Sequence, residues 1–206
     1  MWVCLLAGVG PAVSGLRGAD FAPITLYTQF RETPPEGVVR ALEEEVEALM
    51  GPIGLRFQWR SLSENSPREV SAELAVITFQ GRCDAAGLSA GAKGGGALGW
   101  THVSDGEILP FTDVSCDRVR EFTQVGLLGV RAGDRASRYG RALGRVLAHE
   151  LYHIFAKTAH HASAGVAKEA YSVQDLLDDD FQFHAKETRK LQASRPKVEE
   201  APLGTR

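Results

Sequence analysis

The chain has 206 residues, 44% of them hydrophobic and 24% charged, with a net charge of -3 and a pI near 6.1. Length and composition suit one domain with a sizeable core, and the lack of a basic excess or basic run argues against a nucleic-acid partner. No apolar run reaches the ~20 residues that a membrane span requires.

In chain order, "MWVCLLAGVGPAVSG" is apolar for a dozen residues and then turns to small residues at Ala12, Ser14 and Gly15. This is the pattern of a secretory h-region and cleavage site, although no Lys or Arg precedes Arg17. Residues 1–20 are therefore read as a signal peptide and the protein as exported, secreted or periplasmic. Removing that segment takes Cys4 and leaves Cys83 and Cys116. An even pair in an exported protein most simply forms a disulfide, with two buried free thiols as the alternative. No C-x-x-C suggests a metal knuckle.

"PITLYTQF" alternates as a strand. "TPPEGVVRALEEEVEALMGP" reads as a helix: Thr33 and Glu36 have capping-box spacing, Pro34 suits the first turn and Gly51-Pro52 stops it. Val38, Val39, Leu42, Val46 and Leu49 supply its apolar stripe, and the glutamates are expected to face water. "LRFQWRSL" alternates with Leu55, Phe57 and Trp59 on one side, and "ELAVITF" is a continuous apolar run expected of a central strand covered on both faces. Strand, helix, strand, strand in this order implies a right-handed crossover and a sheet that is at least partly parallel.

Gly94, Gly96 and Gly99 formally match G-x-G-x-x-G, but a dinucleotide site needs a helix after the glycines, and a strand follows here. The segment is read as a loop. "ALGWTHVSDGEILPFTDV" then gives two extended segments joined at Asp105-Gly106, a hairpin that adds an antiparallel strand near one sheet edge. A helix is expected from Asp134 to about Lys157 and another around residues 184 to 193, followed by a polar, disordered tail over 195–206.

The long helix carries "HELYH". His149 and His153 are four apart, so both imidazoles can reach one ion, while Glu150 can lie beside a metal-bound water without being a ligand. Leu143, Leu147, Leu151 and Ile154 form a buried arc, and Arg138, Arg141 and Arg145 mark the expected wet side. Gly140, Gly144 and Ala148, spaced by four, make a smooth strip for close approach of another element. A buried His-Glu-His cluster without a metal would carry a large desolvation cost, so Zn2+ is the expected cofactor.

On His149, Glu150 and His153, and on the preceding order of strand, helix, two strands, hairpin and helix, the chain resembles the zincin metallopeptidases, and best their metzincin-like branch. That resemblance covers roughly residues 21 to 161. It implies an α+β, zincin-like fold: a mixed twisted sheet with an antiparallel strand near one edge, packed on a backing helix and an active-site helix, with a small C-terminal subdomain. The single domain would span 21–194, divided into an upper part (21–157) and a lower part (158–194). It further implies that His149 and His153 bind zinc, that Glu150 is the general base, and that "ALGWTHV" pairs with an extended polypeptide substrate.

The third ligand departs from the metzincin pattern, which would require Gly at 156 and His at 159; both are alanine. In a continuing helix His160 would stand about 10 Å along the axis from His153, out of reach, so the helix must end first. A helix running about a turn longer than in metzincins, to Lys157 or Thr158, favours the later histidine. "TAHHASAGVAK" also resembles the T-x-x-H-x-x-x-G-x-A-K continuation of small exported bacterial proteins that carry H-E-L-Y-H. His161 is therefore the expected third ligand, His160 its alternative, and Glu169 the candidate in a gluzincin-like arrangement. The only methionines, Met1 and Met50, precede the motif, so a strict metzincin with its methionine turn is excluded. Tyr171 is a candidate transition-state stabiliser, Lys168 is read as structural, and Asp178 to Asp180 as a solvated turn lacking calcium-loop spacing. The resulting expectation is a zinc-dependent endopeptidase; a non-catalytic zinc-binding scaffolding or binding module is the alternative.

Overall fold

The computed structural model describes residues 23–63, 73–89 and 95–194. The segment read as a signal peptide with Cys4, the tail over 195–206, and Gly94 of the glycine run lie outside them. Elements follow in the order β1 (Ile24–Phe30), α1 (Glu36–Met50), β2 (Phe57–Ser61), β3 (Leu74–Gln80), β4 (Gly99–Ser104), β5 (Glu107–Ser115), α2 (Cys116–Leu128), α3 (Arg135–Phe155), α4 (Val173–Leu177) and α5 (Ala185–Ala193).

The sheet order is β2-β1-β3-β5-β4. β4 is antiparallel to β5 and the other pairings are parallel, so the expected mixed sheet is present and its antiparallel strand is the edge itself. Asp105 (φ 51°) and Gly106 (φ 81°) turn the β4–β5 hairpin; two consecutive positive φ values match the twist of the flanking strands. Ile24, Leu26, Ala75, Ile77 and Phe79 are buried under the helices. β3 alternates buried with half-buried residues and is therefore not covered equally on both faces as its apolar run suggested; Thr78 and Gln80 stand on the less covered one.

α1 and α3 pack backbone to backbone. A Cβ on Gly140 would lie 2.5 Å from the Val38 carbonyl oxygen, and one on Gly144 2.7 Å from that of Leu42. The four-residue spacing of small residues thus has the packing reason that its cost in helix propensity implied. α1 begins later than the capping-box reading placed it. Pro35, at φ -58° and ψ 137°, is the N-cap and no side chain caps the helix. A Pro-Pro pair holds its first residue extended, which keeps Thr33 out of capping position.

Two charge assignments also change. Glu45 does not face water, and Arg145 is not on a wet side: its side chain is 1% exposed. Arg145 donates to Glu45 Oε1 at 2.6 Å and to the Asp175 carbonyl at 2.7 Å, with its guanidinium over the Phe181 ring. Arg141 donates to Glu45 Oε2 at 3.1 Å, and both Arg138 and Arg141 reach Asp179 Oδ1 at 2.8 Å. The acidic turn read as merely solvated therefore helps to clamp the C-terminal segment onto α3. A buried guanidinium persists only where its donors are satisfied in this way.

α2, absent from the sequence reading, is capped by Ser115, whose hydroxyl accepts from the Arg118 amide. Its first residue, Cys116, is joined to Cys83 in a disulfide with Cα atoms 4.8 Å apart across a sequence separation of 33. The bond ties the turn after β3 to the start of α2. Closing a loop of that length restricts the unfolded chain, and replacing both cysteines by alanine is expected to lower stability by about 3–4 kcal/mol. Urea unfolding should show the same loss for the wild-type protein in reductant, and coincident curves for all three samples would contradict it.

Candidate metal centre

His149 and His153 stand one turn apart near the C-terminal end of α3, both buried. Their Nδ1 atoms each face a main-chain carbonyl of the segment that follows: His149 Nδ1 lies 2.9 Å from the Val166 oxygen and His153 Nδ1 2.6 Å from that of Thr158. A carbonyl only accepts, so both Nδ1 atoms carry the proton and both Nε2 atoms present lone pairs. Those two Nε2 atoms are 3.0 Å apart. Two buried lone pairs held that close repel one another unless a cation lies against both, and this is the electrostatic signature of a metal site. Burial pushes the His149 pKa down to about 4 and that of His153 down as well, so both rings are neutral, as ligands must be.

The helix stops at Phe155, short of the Lys157 or Thr158 expected. Lys157 adopts a left-handed conformation at φ 46°; its amide bonds the Ile154 carbonyl and the Thr158 amide that of His153. This is a Schellman closure with Lys in the place usually held by Gly. The reversal thus occurs without a glycine at 156 and without a longer helix. It also delivers the Thr158 carbonyl to the His153 ring.

The returning chain brings His161 to the pair. Ligand atoms of His149, His153 and His161 all lie within 4.8 Å of one another, and the His161 ring centroid is 5.2 Å from that of His149 and 4.8 Å from that of His153. His160 is exposed and outside this group, its amide bonded to Thr158 Oγ1. Glu169 lines the same cavity but does not join the three ligand atoms. Lys168 Nζ is bonded to Asp175 Oδ2 at 2.6 Å, as a structural role requires. The Tyr171 hydroxyl donates to the Val166 carbonyl, the acceptor shared with His149; burial first, then the Glu150 charge, raises its pKa well above the usual tyrosine value, so it stays protonated.

Glu150 lies under the edge strand. Thr101 Oγ1 donates to Glu150 Oε2 at 2.8 Å, and a Cβ on Gly99 would stand 3.0 Å from Glu150 Cγ and Oε1. Gly99, which ends the glycine run and belongs to the extended segment expected after it, opens β4 and makes room for the carboxylate. Burial raises the Glu150 pKa to about 7, against the Thr101 hydrogen bond, which lowers it. A cavity of about 620 Å³ opens beside these groups, lined by residues 95–101 and, from the segment after α3, by Ala159, His161 and residues 169–171. Thr101, Gly99 and the Val166 carbonyl escaped sequence reasoning, because each is defined by a partner far along the chain.

No family model matches this chain, and no curated protein matches its sequence. Among solved structures it is similar to archaemetzincin from Methanopyrus kandleri, at 16% identity and a TM-score of 0.47, over 86% of this chain and 97% of that one. A likeness of that degree leaves the function to be argued from the site.

Two outcomes follow. His161→Ala should weaken zinc binding by more than the roughly 10–100-fold typical of groups behind the ligands, while His160→Ala leaves it within about threefold, as read by competition with a chromogenic chelator. In metal-free protein, Glu150 has a folded-state pKa above its unfolded value of 4.5, so its ionisation destabilises the fold as pH rises from about 4.5 through about 7. Glu150→Gln should therefore stabilise chelator-treated protein by about 3 kcal/mol above pH 7 and by nothing near pH 4, measured by urea unfolding across that range.

Proposed function

We propose that this chain is a zinc-dependent endopeptidase in which His149, His153 and His161 hold the metal and Glu150 is the general base. The observation that carries the reading is the pair of lone-pair-bearing Nε2 atoms 3.0 Å apart, joined by a third imidazole, with a buried carboxylate beside them in an open cavity. Three neutral nitrogen donors suit zinc and leave a coordination position free. Zinc held there supplies Lewis acidity for activating water and polarising a peptide carbonyl.

The chain's own groups supply the remainder. Glu150, poised near neutrality by its burial, accepts a proton from the attacking water and returns it to the leaving amine. Thr101 holds one carboxylate oxygen and leaves the other directed elsewhere. β4 pairs only with β5 among the described residues, so its other edge offers free main-chain donors and acceptors to an extended peptide. Tyr171 is the candidate stabiliser of developing charge, and would have to exchange the Val166 carbonyl for the substrate to do so. The Cys83–Cys116 disulfide supports an oxidising, exported setting.

Glu150→Gln is expected to retain zinc while its kcat/KM on a broad peptide library falls by about 10²- to 10⁴-fold. Retained hydrolysis in that variant would sink the assignment. Zinc binding with no cleavage by the wild-type protein at any pH would instead favour a zinc-bound binding module.

A further inference from the structure

Among the described residues that line the cavity, Arg118 is the one Lys or Arg. It sits in the first turn of α2, one turn before Phe122, so both side chains share the α2 face that borders the cavity. Phe122 and the buried Val146, which belongs to the helix that carries His149 and His153, give the same cavity apolar lining. Arg118 Nη1 donates to the Ala97 carbonyl at 3.0 Å, and among the described residues no carboxylate pairs with it. The nearest acid in sequence, Asp117, is engaged by Arg120 at 2.9 Å.

The loop beside it is shaped to leave the guanidinium in place. Gly96 has φ +94°, and a Cβ there would stand 3.1 Å from Arg118 Nη1. A guanidinium fixed at one corner on a cavity wall keeps its other N–H groups for a ligand, and their planar fork matches a carboxylate. Glu169, which lines the same cavity, supplies the opposite sign.

We propose that Arg118 is the carboxylate-recognition residue of this cleft. The peptide it takes carries a carboxylate, from an Asp or Glu side chain or from its own C-terminus, beyond an apolar segment that meets Phe122 and Val146. The proposal rests on the peptidase reading for its peptide ligand. Glu169, lining the same cavity, disfavours that carboxylate.

The test uses zinc-loaded Glu150→Gln protein and labelled hexapeptides that differ only in charge. The set comprises a Glu side chain with an amidated C-terminus, a Gln with a free C-terminus, a Gln with an amide, and a Lys with an amide. In anisotropy titrations at low salt, one of the first two should bind about tenfold more tightly than the neutral peptide, and which one tells side-chain from C-terminal recognition. Adding Arg118→Gln, which keeps a donor for the Ala97 carbonyl, should abolish that preference. Arg118→Lys should keep most of it, Arg118→Glu should shift it to the Lys peptide, and Glu169→Gln should enlarge it. Equal binding of all four peptides would overturn the assignment. So would Gln and Lys variants that weaken every peptide alike, since that is how a simple loop staple behaves. Zinc titration of the same samples separates the two readings: loss of zinc from the histidines defeats the peptidase reading, whereas bound zinc without a charge preference defeats the Arg118 assignment alone.

Discussion

The hydrogen bonds from the two helix imidazoles to main-chain carbonyls are the interactions on which the site depends. Without an acceptor at Nδ1, neither ring would be held in one tautomer, and the two Nε2 atoms would not be obliged to face each other. Those acceptors, Val166 and Thr158, lie in the segment that follows α3. The segment must therefore be as rigid as the helix. It is tied by a main-chain bond from Val166 to Gln182 and by the Ala162–Ala167 bond, and Gly165 at φ +70° lets the Gln182 carbonyl come within 2.5 Å of where a Cβ would be.

The clamp formed by the arginines of α3 serves the same end. Arg138, Arg141 and Arg145 hold the stretch from Asp175 to Asp179, and Asp175 in turn holds Lys168 and the Ser172 cap. The loop that carries His161 is thus anchored at both ends to the helix that carries His149 and His153. Burying Arg145 and Glu45 is expensive in itself. The compensation lies in their shared hydrogen bonds, which fix the relative position of two parts of the candidate metal site.

What could be read from sequence was what depends on local period. The helical spacing of His149 and His153, the apolar stripe of α1, the small-residue strip of α3 and the Asp105-Gly106 turn all concern neighbours within a few residues, and each is found as expected except that Val39 of the α1 stripe is only half-buried. The failures share a different cause. Arg145 was assigned to water because its partner Glu45 is 100 positions away. The helix end was misplaced because Lys157 takes a left-handed conformation that its type does not announce. α2 was missed because its buried face includes Thr123 and Gln124 among the apolar positions, which blurs the period. The purpose of Gly99, room for Glu150, is visible only in three dimensions.

The dependence of Glu150 on β4 has a consequence for how a peptide would be aligned. Thr101 contacts both the carboxylate and the main-chain carbonyl of Glu150, so the strand and the helix are locked in register at that residue. Immediately beyond, the β4–β5 pairing shifts between Thr101 and Val103, and an irregularity of this kind bends the strand and re-aims its side chains. The straight part of the edge that could pair with a peptide is therefore the part that also positions the carboxylate. On the proposed reading, a substrate strand laid along Gly99 to Thr101 would have its main chain indexed against the same residues that fix Glu150, and this coupling would bring a peptide carbonyl and the carboxylate into one frame without further machinery.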